Sequence, residues 1–275
     1  MGRIIAKTLG VVLRARRMGE TSKLVTLYTA DFGKLKVTAK GARRPKSPFG
    51  GALEPLVEAQ VVCYLRDDRE LHTLSDADVV RSFPALLADL ERLSYASAAC
   101  EMVERLTIEH EPNARLYRCL TGVLEGMEEV AGGQVEALFW YFQLRAAEAL
   151  GYRPELGQCL GCGASLAEVP WVRFDPAMGG GRCPACSRPG SGEDGGAGAR
   201  RLPGDSAAFL ARLQAVRAYG RDALPAPPAR RGEIRGLLRA FLEYHAGQGG
   251  RLRALDFLES VGKGQTPNPA PTAAK

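Results

Sequence analysis

Thr8-Leu9-Gly10-Val11-Val12-Leu13, set within Ile4 to Arg17, is an apolar, β-branched run, and the turn Met18-Gly19-Glu20 follows it. Ser22 to Thr29 alternates Leu24, Thr26 and Tyr28 with Val25 and Leu27, the period of two that sends successive side chains to opposite faces of a strand. Asp31-Phe32-Gly33 turns the chain again, Lys34 to Lys40 and Leu56 to Leu65 repeat the strand pattern, and Asp67-Asp68 closes a hairpin into Glu70 to Ser75. Five short strands, one long connection and no helix between them predict a small closed barrel of the five-stranded OB type. Gly10 is the expected bend or bulge that lets the first strand wrap.

The long connection is Lys40-Gly41-Ala42-Arg43-Arg44-Pro45-Lys46-Ser47-Pro48-Phe49-Gly50-Gly51. Its prolines and glycines exclude it from a strand, so its cations face solvent, where they can neutralise phosphates and release counterions. Phe49 or Tyr28 is a candidate for stacking on a base, the alternative for Phe49 being to pack the loop back on the barrel. A Walker-type phosphate loop is excluded, because the Gly-Lys-Ser/Thr order is missing.

From Ser82 the period becomes helical. Ser82 is the expected cap and Pro84 a first-turn proline, with Leu86, Leu87, Leu90, Leu93 and Ala98 on one face through to Thr107. Asn113 is placed to cap a second helix carrying Leu116, Leu120, Val123, Leu124 and Met127, ended by Gly132-Gly133. Gln134 to Leu150 is a third, rich in core aromatics and closed by Gly151. Helical patterns return at Asp205 to Tyr219, Glu233 to His245 and Leu252 to Val261.

Between the third and fourth helices stand Cys159-Leu160-Gly161-Cys162-Gly163 and Cys183-Pro184-Ala185-Cys186. Two Cys-x-x-Cys knuckles at this spacing bring four thiolates onto one Zn²⁺, leaving no open coordination position for substrate or water, so the expected role is structural. Pro170 to Asp175 reads as a short strand covering the metal. Disulfides and a redox dithiol are the competing readings; the first needs an oxidising compartment and the second no matched pair. Cys63, Cys100 and Cys119 read as small buried thiols.

The predicted organisation is α+β: residues 1–80 the OB-fold, 81–158 the first part of a helical domain, 159–186 the four-cysteine zinc module protruding from it. Residues 187–202 form a flexible Gly-rich loop, 203–262 the second helical part, and 263–275 a disordered tail. Residues 1 to 50 hold 12 Lys and Arg against two acids, +10 in a chain whose net charge is +6, so positive potential gathers at one end, as a polyanion partner requires. No apolar run reaches membrane-spanning length and Met1-Gly2-Arg3 begins no signal sequence, so a soluble cytoplasmic protein is expected. No catalytic constellation assembles: His72, His110 and His245 read as surface or packing residues, and Asp67-Asp68 and Glu128-Glu129 as solvated faces.

Leu13-Arg14-Ala15-Arg16-Arg17-Met18-Gly19-Glu20-Thr21-Ser22-Lys23-Leu24-Val25-Thr26-Leu27-Tyr28, with Gly33-Lys34, Lys40 to Ser47 and Leu53-Glu54-Pro55, resembles the N-terminal region of the RecO family of DNA repair and recombination mediators. Glu148 to Leu156 leading into Cys159-x-x-Cys162-Gly163 is a second match, and Leu237 to Leu242 through Phe257-Leu258 a third. Ala254 departs from the family, where serine is common, and the run 189 to 199 looks like an insertion. Some members lack the cysteines, which favours a structural metal.

The resemblance implies an N-terminal OB-fold, a helical domain and an inserted zinc module. It also implies binding of single- and double-stranded DNA, annealing of complementary strands, and work with RecR, with or without RecF, to load RecA onto DNA coated by single-strand-binding protein. The expectation is a non-enzymatic, nucleoid-associated mediator with one structural Zn²⁺ on Cys159, Cys162, Cys183 and Cys186, and no membrane or small-molecule substrate. Its DNA-binding candidates are Arg14, Arg16, Arg17, Lys23, Lys34, Lys36, Lys40, Arg43, Arg44 and Lys46. An RNA-binding OB-fold and zinc-ribbon protein is the alternative; a thiol redox enzyme is a third.

Overall fold

The computed structural model describes residues 3–66, 69–131, 133–187, 198–217, 219, 223–245 and 252–262. The Asp67-Asp68 turn, Gly132, most of the Gly-rich run and the tail lie outside these residues. Strands β1 (Arg3–Met18), β2 (Ser22–Thr29), β3 (Gly33–Ala39), β4 (Glu58–Arg66) and β5 (Leu71–Arg81) close into a barrel in the order β1-β2-β3-β5-β4. Every pairing is antiparallel except β3 with β5. Val12, Val25, Leu27, Leu35, Val37 and Val61, the inward members of the period-two pattern, fill its core. The bulge falls at Leu13, where the β1–β2 register slips between Val12 and Arg14. Gly10 instead serves a close approach: a Cβ there would stand 3.2 Å from the Thr29 side chain.

The single helix expected from Ser82 to Thr107 is two, α1 (Pro84–Ala88) and α2 (Leu90–Leu106). Asp89 is extended between them, and its carboxylate accepts from the Arg92 N–H at 2.8 Å, so a local side-chain bond restarts the helix. Phe83, not Ser82, holds the cap position of α1, and Leu87 and Leu90 lie on the exposed side of the break. In α3 (Ala114–Glu129), Asn113 caps as expected, accepting from Leu116 N–H at 2.9 Å. That helix ends at Glu129, ahead of the glycines. Glu128, expected in solvent, accepts from the free N–H groups of Ala85 and Leu86 at 3.0 and 3.1 Å and so closes the start of α1. Helix α4 (Val135–Ala149) buries Phe139, Trp140 and Phe142, and Gly151 beyond it takes φ +87°.

Helices α5 (Gly204–Ala215), α6 (Arg231–His245) and α7 (Arg253–Gly262) complete the helical body, α5 stopping short of the expected Tyr219. A three-stranded sheet, β6 (Trp171–Asp175), β7 (Gly180–Arg182) and β8 (Arg200–Pro203), runs in the order β7-β6-β8. Residues 200–202, counted with the loop in the sequence reading, are thus strand, because Leu202 faces Val172 and both are buried. Nor does the cysteine module protrude. Phe174 meets Phe241 of α6 edge-on at 6.0 Å, and Leu166, Val172, Cys159 and Cys183 share one buried cluster with the helices. The inward side of β6 therefore seats the module in the helical core.

Barrel and helices meet along a polar seam. Buried Glu58 of β4 accepts from the Tyr117 hydroxyl of α3 at 2.6 Å and from Arg81 of β5 at 2.9 Å. Gly33 has φ +64°, and a Cβ there would fall 2.2 Å from the Glu111 carbonyl oxygen. Buried His72 of β5 accepts at Nδ1 from the Arg66 N–H and faces His110 Nε2 with its own Nε2 at 3.2 Å. His72 is thereby the Nε2–H tautomer, donating to His110.

Burial first, then the neighbouring His110, lowers the His72 pKa from its ordinary 6.5. A base whose folded pKa lies below its unfolded one adds stability above about pH 6.5 that is lost as pH falls through the folded value. Urea midpoints should therefore decline from about pH 7 to about pH 5.5, and His72→Gln should flatten that decline. An undiminished decline in the variant would refute this role for His72.

Candidate nucleic-acid interface and metal centre

The ten candidate cations divide by what the fold gives them. Lys34 spends its ammonium on the carbonyls of Glu104 (2.7 Å) and Thr107 at the C-terminal end of α2, where a cation meets the negative pole of the helix. Burial lowers its pKa, with Glu109 and Glu104 opposing. Lys36 pairs with Glu109, a hydrogen bond that raises its pKa against partial burial. Arg14, half-buried beside the helices, lies 3.7 Å from Glu104, and burial lowers its pKa. Lys23 meets Glu54 at 2.7 Å. These four are committed within the molecule.

Arg16, Arg17, Lys40, Arg43, Arg44 and Lys46 are exposed. They gather where the β1–β2 turn, with Gly19 at φ +65°, meets the long connection. The Arg43 N–H donates to the Thr21 carbonyl at 2.9 Å, and its guanidinium to the Gly19 and Glu20 carbonyls at 3.2 and 2.8 Å. Arg44 and Lys40 line the groove between turn and loop together with Thr21 and Ser22. The loop is anchored by its apolar members: Phe49, Ala52 and Leu53 are buried in the barrel core. Phe49 is therefore not a stacking residue, and neither is Tyr28, fully buried with its ring 6.4 Å from that of Tyr117. Burial of the aromatic is what projects the neighbouring cations outward. The exposed tip thus offers charge without a base-stacking ring at either position proposed from the sequence.

The four cysteines of the two knuckles come together, their Sγ atoms all within 4.8 Å of one another. Cys162 and Cys183 are 3.9 Å apart at sulfur, and all four are free thiols. A disulfide needs about 2.05 Å, whereas tetrahedral Zn–S bonds of about 2.3 Å place sulfurs about 3.8 Å apart. Gly161 and Cys183 donate backbone N–H bonds to Cys159 Sγ at 3.4 and 3.2 Å. Burial raises the Cys159 pKa, but these N–H groups outweigh it and hold the thiol at about 6, in the thiolate form that a metal requires. Gly161 leaves room for Cys186, whose Cβ and Sγ would stand 3.1 Å from any added Cβ. The donor set suits a soft, tetrahedral divalent ion. Of the remaining thiols, Cys63 and Cys100 are buried and Cys119 half-buried.

Lys34→Ala should lower the unfolding free energy by about 1–3 kcal/mol, because two helix carbonyls lose a charged donor. Lys46→Ala, on the open loop, should stay within about 0.5 kcal/mol of the parent in the same urea titration. Equal effects would overturn the division between committed and free cations.

Residues 1–83 match the family model described as Recombination protein O N terminal, and residues 87–255 match Recombination protein O C terminal. The chain is 40% identical over 261 residues to DNA repair protein RecO of Anaeromyxobacter dehalogenans (strain 2CP-1), covering 94% of this chain and 97% of that one. It is 35% identical over 253 residues to DNA repair protein RecO of Myxococcus xanthus (strain DK1622), covering 92% and 96%. With Roseiflexus sp. (strain RS-1) DNA repair protein RecO it shares 34% identity over 259 residues, covering 94% and 86%. Matched along both models and nearly end to end by these relatives, the chain belongs to the RecO family of DNA repair proteins.

Proposed function

We propose that the protein is a non-catalytic recombination mediator that binds DNA through the barrel tip, anneals complementary strands and helps load recombinase. The single observation carrying this is the cluster of exposed Arg16, Arg17, Lys40, Arg43, Arg44 and Lys46 on one end of the barrel, while Arg14, Lys34 and Lys36 are committed to the helical body and Lys23 to Glu54. Six exposed cations on adjoining turns suit a phosphate backbone. Affinity then depends little on base sequence, and neutralised strands repel each other less, which favours annealing. RecR, with or without RecF, is the proposed companion in delivering RecA to DNA coated by single-strand-binding protein. The proposed divisions are the barrel to residue 80, a helical body in two parts, and the cysteine module inserted between them. Among the described residues no helix is long and apolar enough to cross a membrane.

One Zn²⁺ on Cys159, Cys162, Cys183 and Cys186 is proposed as structural. When bound it supplies four metal–sulfur bonds and no reactive site. The residues themselves supply the rest: Gly161 and Cys183 N–H groups orient the Cys159 sulfur, and Phe174 ties the sheet to α6. Metal analysis should find about one zinc per chain, and its removal with a strong chelator should lower the thermal midpoint. A chain that folds with the same midpoint and no metal would dismiss this.

The DNA reading is tested with Arg43→Glu, Arg44→Glu and Lys46→Glu combined. Each lost phosphate contact removes about 0.7 from the slope of log affinity against log salt, so the slope for a single strand should fall by about 2 and annealing should slow. Unchanged slope and strength would refute the tip as the interface. Preference for single-stranded RNA over DNA of the same sequence would favour RNA handling instead.

A further inference from the structure

The sheet β7-β6-β8 carries charge that neither the barrel nor the cysteines use. Alternation along β6 is strict: Val172 and Phe174 are buried, while Trp171, Arg173 and Asp175 lie on the outer face. Arg173 stands directly opposite Arg182 of β7 on one side and Arg201 of β8 on the other. Directly opposed residues of antiparallel strands share a face, with Cβ atoms about 5 Å apart. Three guanidinium side chains therefore form a row across the whole sheet. It spans about 10 Å, two interstrand spacings.

Packing does not call for arginine there, since the core side of the same strands is supplied by Val172, Phe174, Gly181 and Leu202. Like charges placed directly opposite one another destabilise a sheet. Asp175 shares the outer face, and its carboxylate accepts from the Ala177 N–H at 2.9 Å. At the row's edge the Arg201 guanidinium lies 4.4 Å from the centre of the half-exposed Trp171 ring. Guanidiniums beside a half-exposed indole offer both chemistries that a single nucleic-acid strand presents, phosphate and base, where the barrel tip offers only charge.

We propose that Arg182, Arg173 and Arg201, with Trp171 at their edge, form a second nucleic-acid site that holds a single strand by its phosphates and stacks one base. The proposal deepens the mediator reading and rests on it. The tip holds one strand and the arginine row the other, so that one chain brings complementary partners together. Arginine suits the task better than lysine because its planar fork meets a phosphate bidentately and stacks on the indole.

The experiment uses the full-length, metal-loaded protein and two non-complementary, differently labelled DNA oligonucleotides, with strands per chain read by native mass spectrometry at low salt. Annealing of a complementary pair is followed in parallel. Wild type should hold two strands. Arg173→Gln with Arg201→Gln should hold one, keep first-strand affinity within about twofold, and slow annealing about tenfold. Trp171→Ala, which removes no charge, should weaken the second strand alone, and Arg173→Lys with Arg201→Lys should recover only part of it. An unchanged thermal midpoint in each variant excludes misfolding as the cause. Wild type saturating at one strand, or the Gln variant retaining two strands and full annealing, overturns the proposal, as does tighter binding of a poly-glutamate peptide than of DNA at the row. If the Arg43, Arg44 and Lys46 reversal leaves two strands bound while the Gln variant holds one, the tip assignment fails and the row stands.

Discussion

A carboxylate with almost no access to water sets the terms for the rest of this molecule. Glu58, 2% exposed, sits in the wall of the barrel, where Arg81 and the hydroxyl of Tyr117 both donate to its carboxylate. Taking an ion out of water costs several kcal/mol unless partners compensate. One of those partners belongs to the barrel and the other to a helix. The two halves are therefore complete only when docked. Burial, and the bond to Glu58 next, raise the Tyr117 pKa and keep that hydroxyl a donor.

The same seam decides which positive charges remain for a partner. An N-terminal region with +10 charge looks uniformly basic along the chain. Once folded, its inner side is neutralised by Glu104, Glu109 and the end of α2, and the excess is left at the far tip. Internal pairing of Arg14, Lys34 and Lys36 turns a diffuse charge into a directed one. The long connection sharpens it further, because Phe49, Ala52 and Leu53 sink into the barrel and leave Arg43, Arg44 and Lys46 in water.

The cysteine cluster plays a comparable role against the helical body. It is seated through Phe174 and Phe241 in the helical core, so its sheet is a rigid outer wall. A wall of this kind can present side chains at fixed spacing, which a loop cannot.

Short-range patterns were legible in the amino-acid order. Strands appear as alternation, α3 as an Asn cap before an apolar stripe, and the four-cysteine cluster as paired Cys-x-x-Cys, because each depends on residues close enough to interact without the rest of the fold. Phe49 was ambiguous, since a lone loop aromatic carries no sign of whether a cavity awaits it. Glu128 reads as a solvated face along the chain, and Asp89 gives no local sign of its role, for a related reason: each works by satisfying backbone N–H groups whose helices are defined only once packed. The RecO membership, the barrel and the pairing of the four cysteines follow from sequence alone. What only the tertiary structure decided is the assignment of individual charges, because Lys34 finds carbonyls about 70 residues away and Arg173 finds Arg182 and Arg201 across strands. Proximity between residues distant along a chain is created by packing, and no local pattern encodes it.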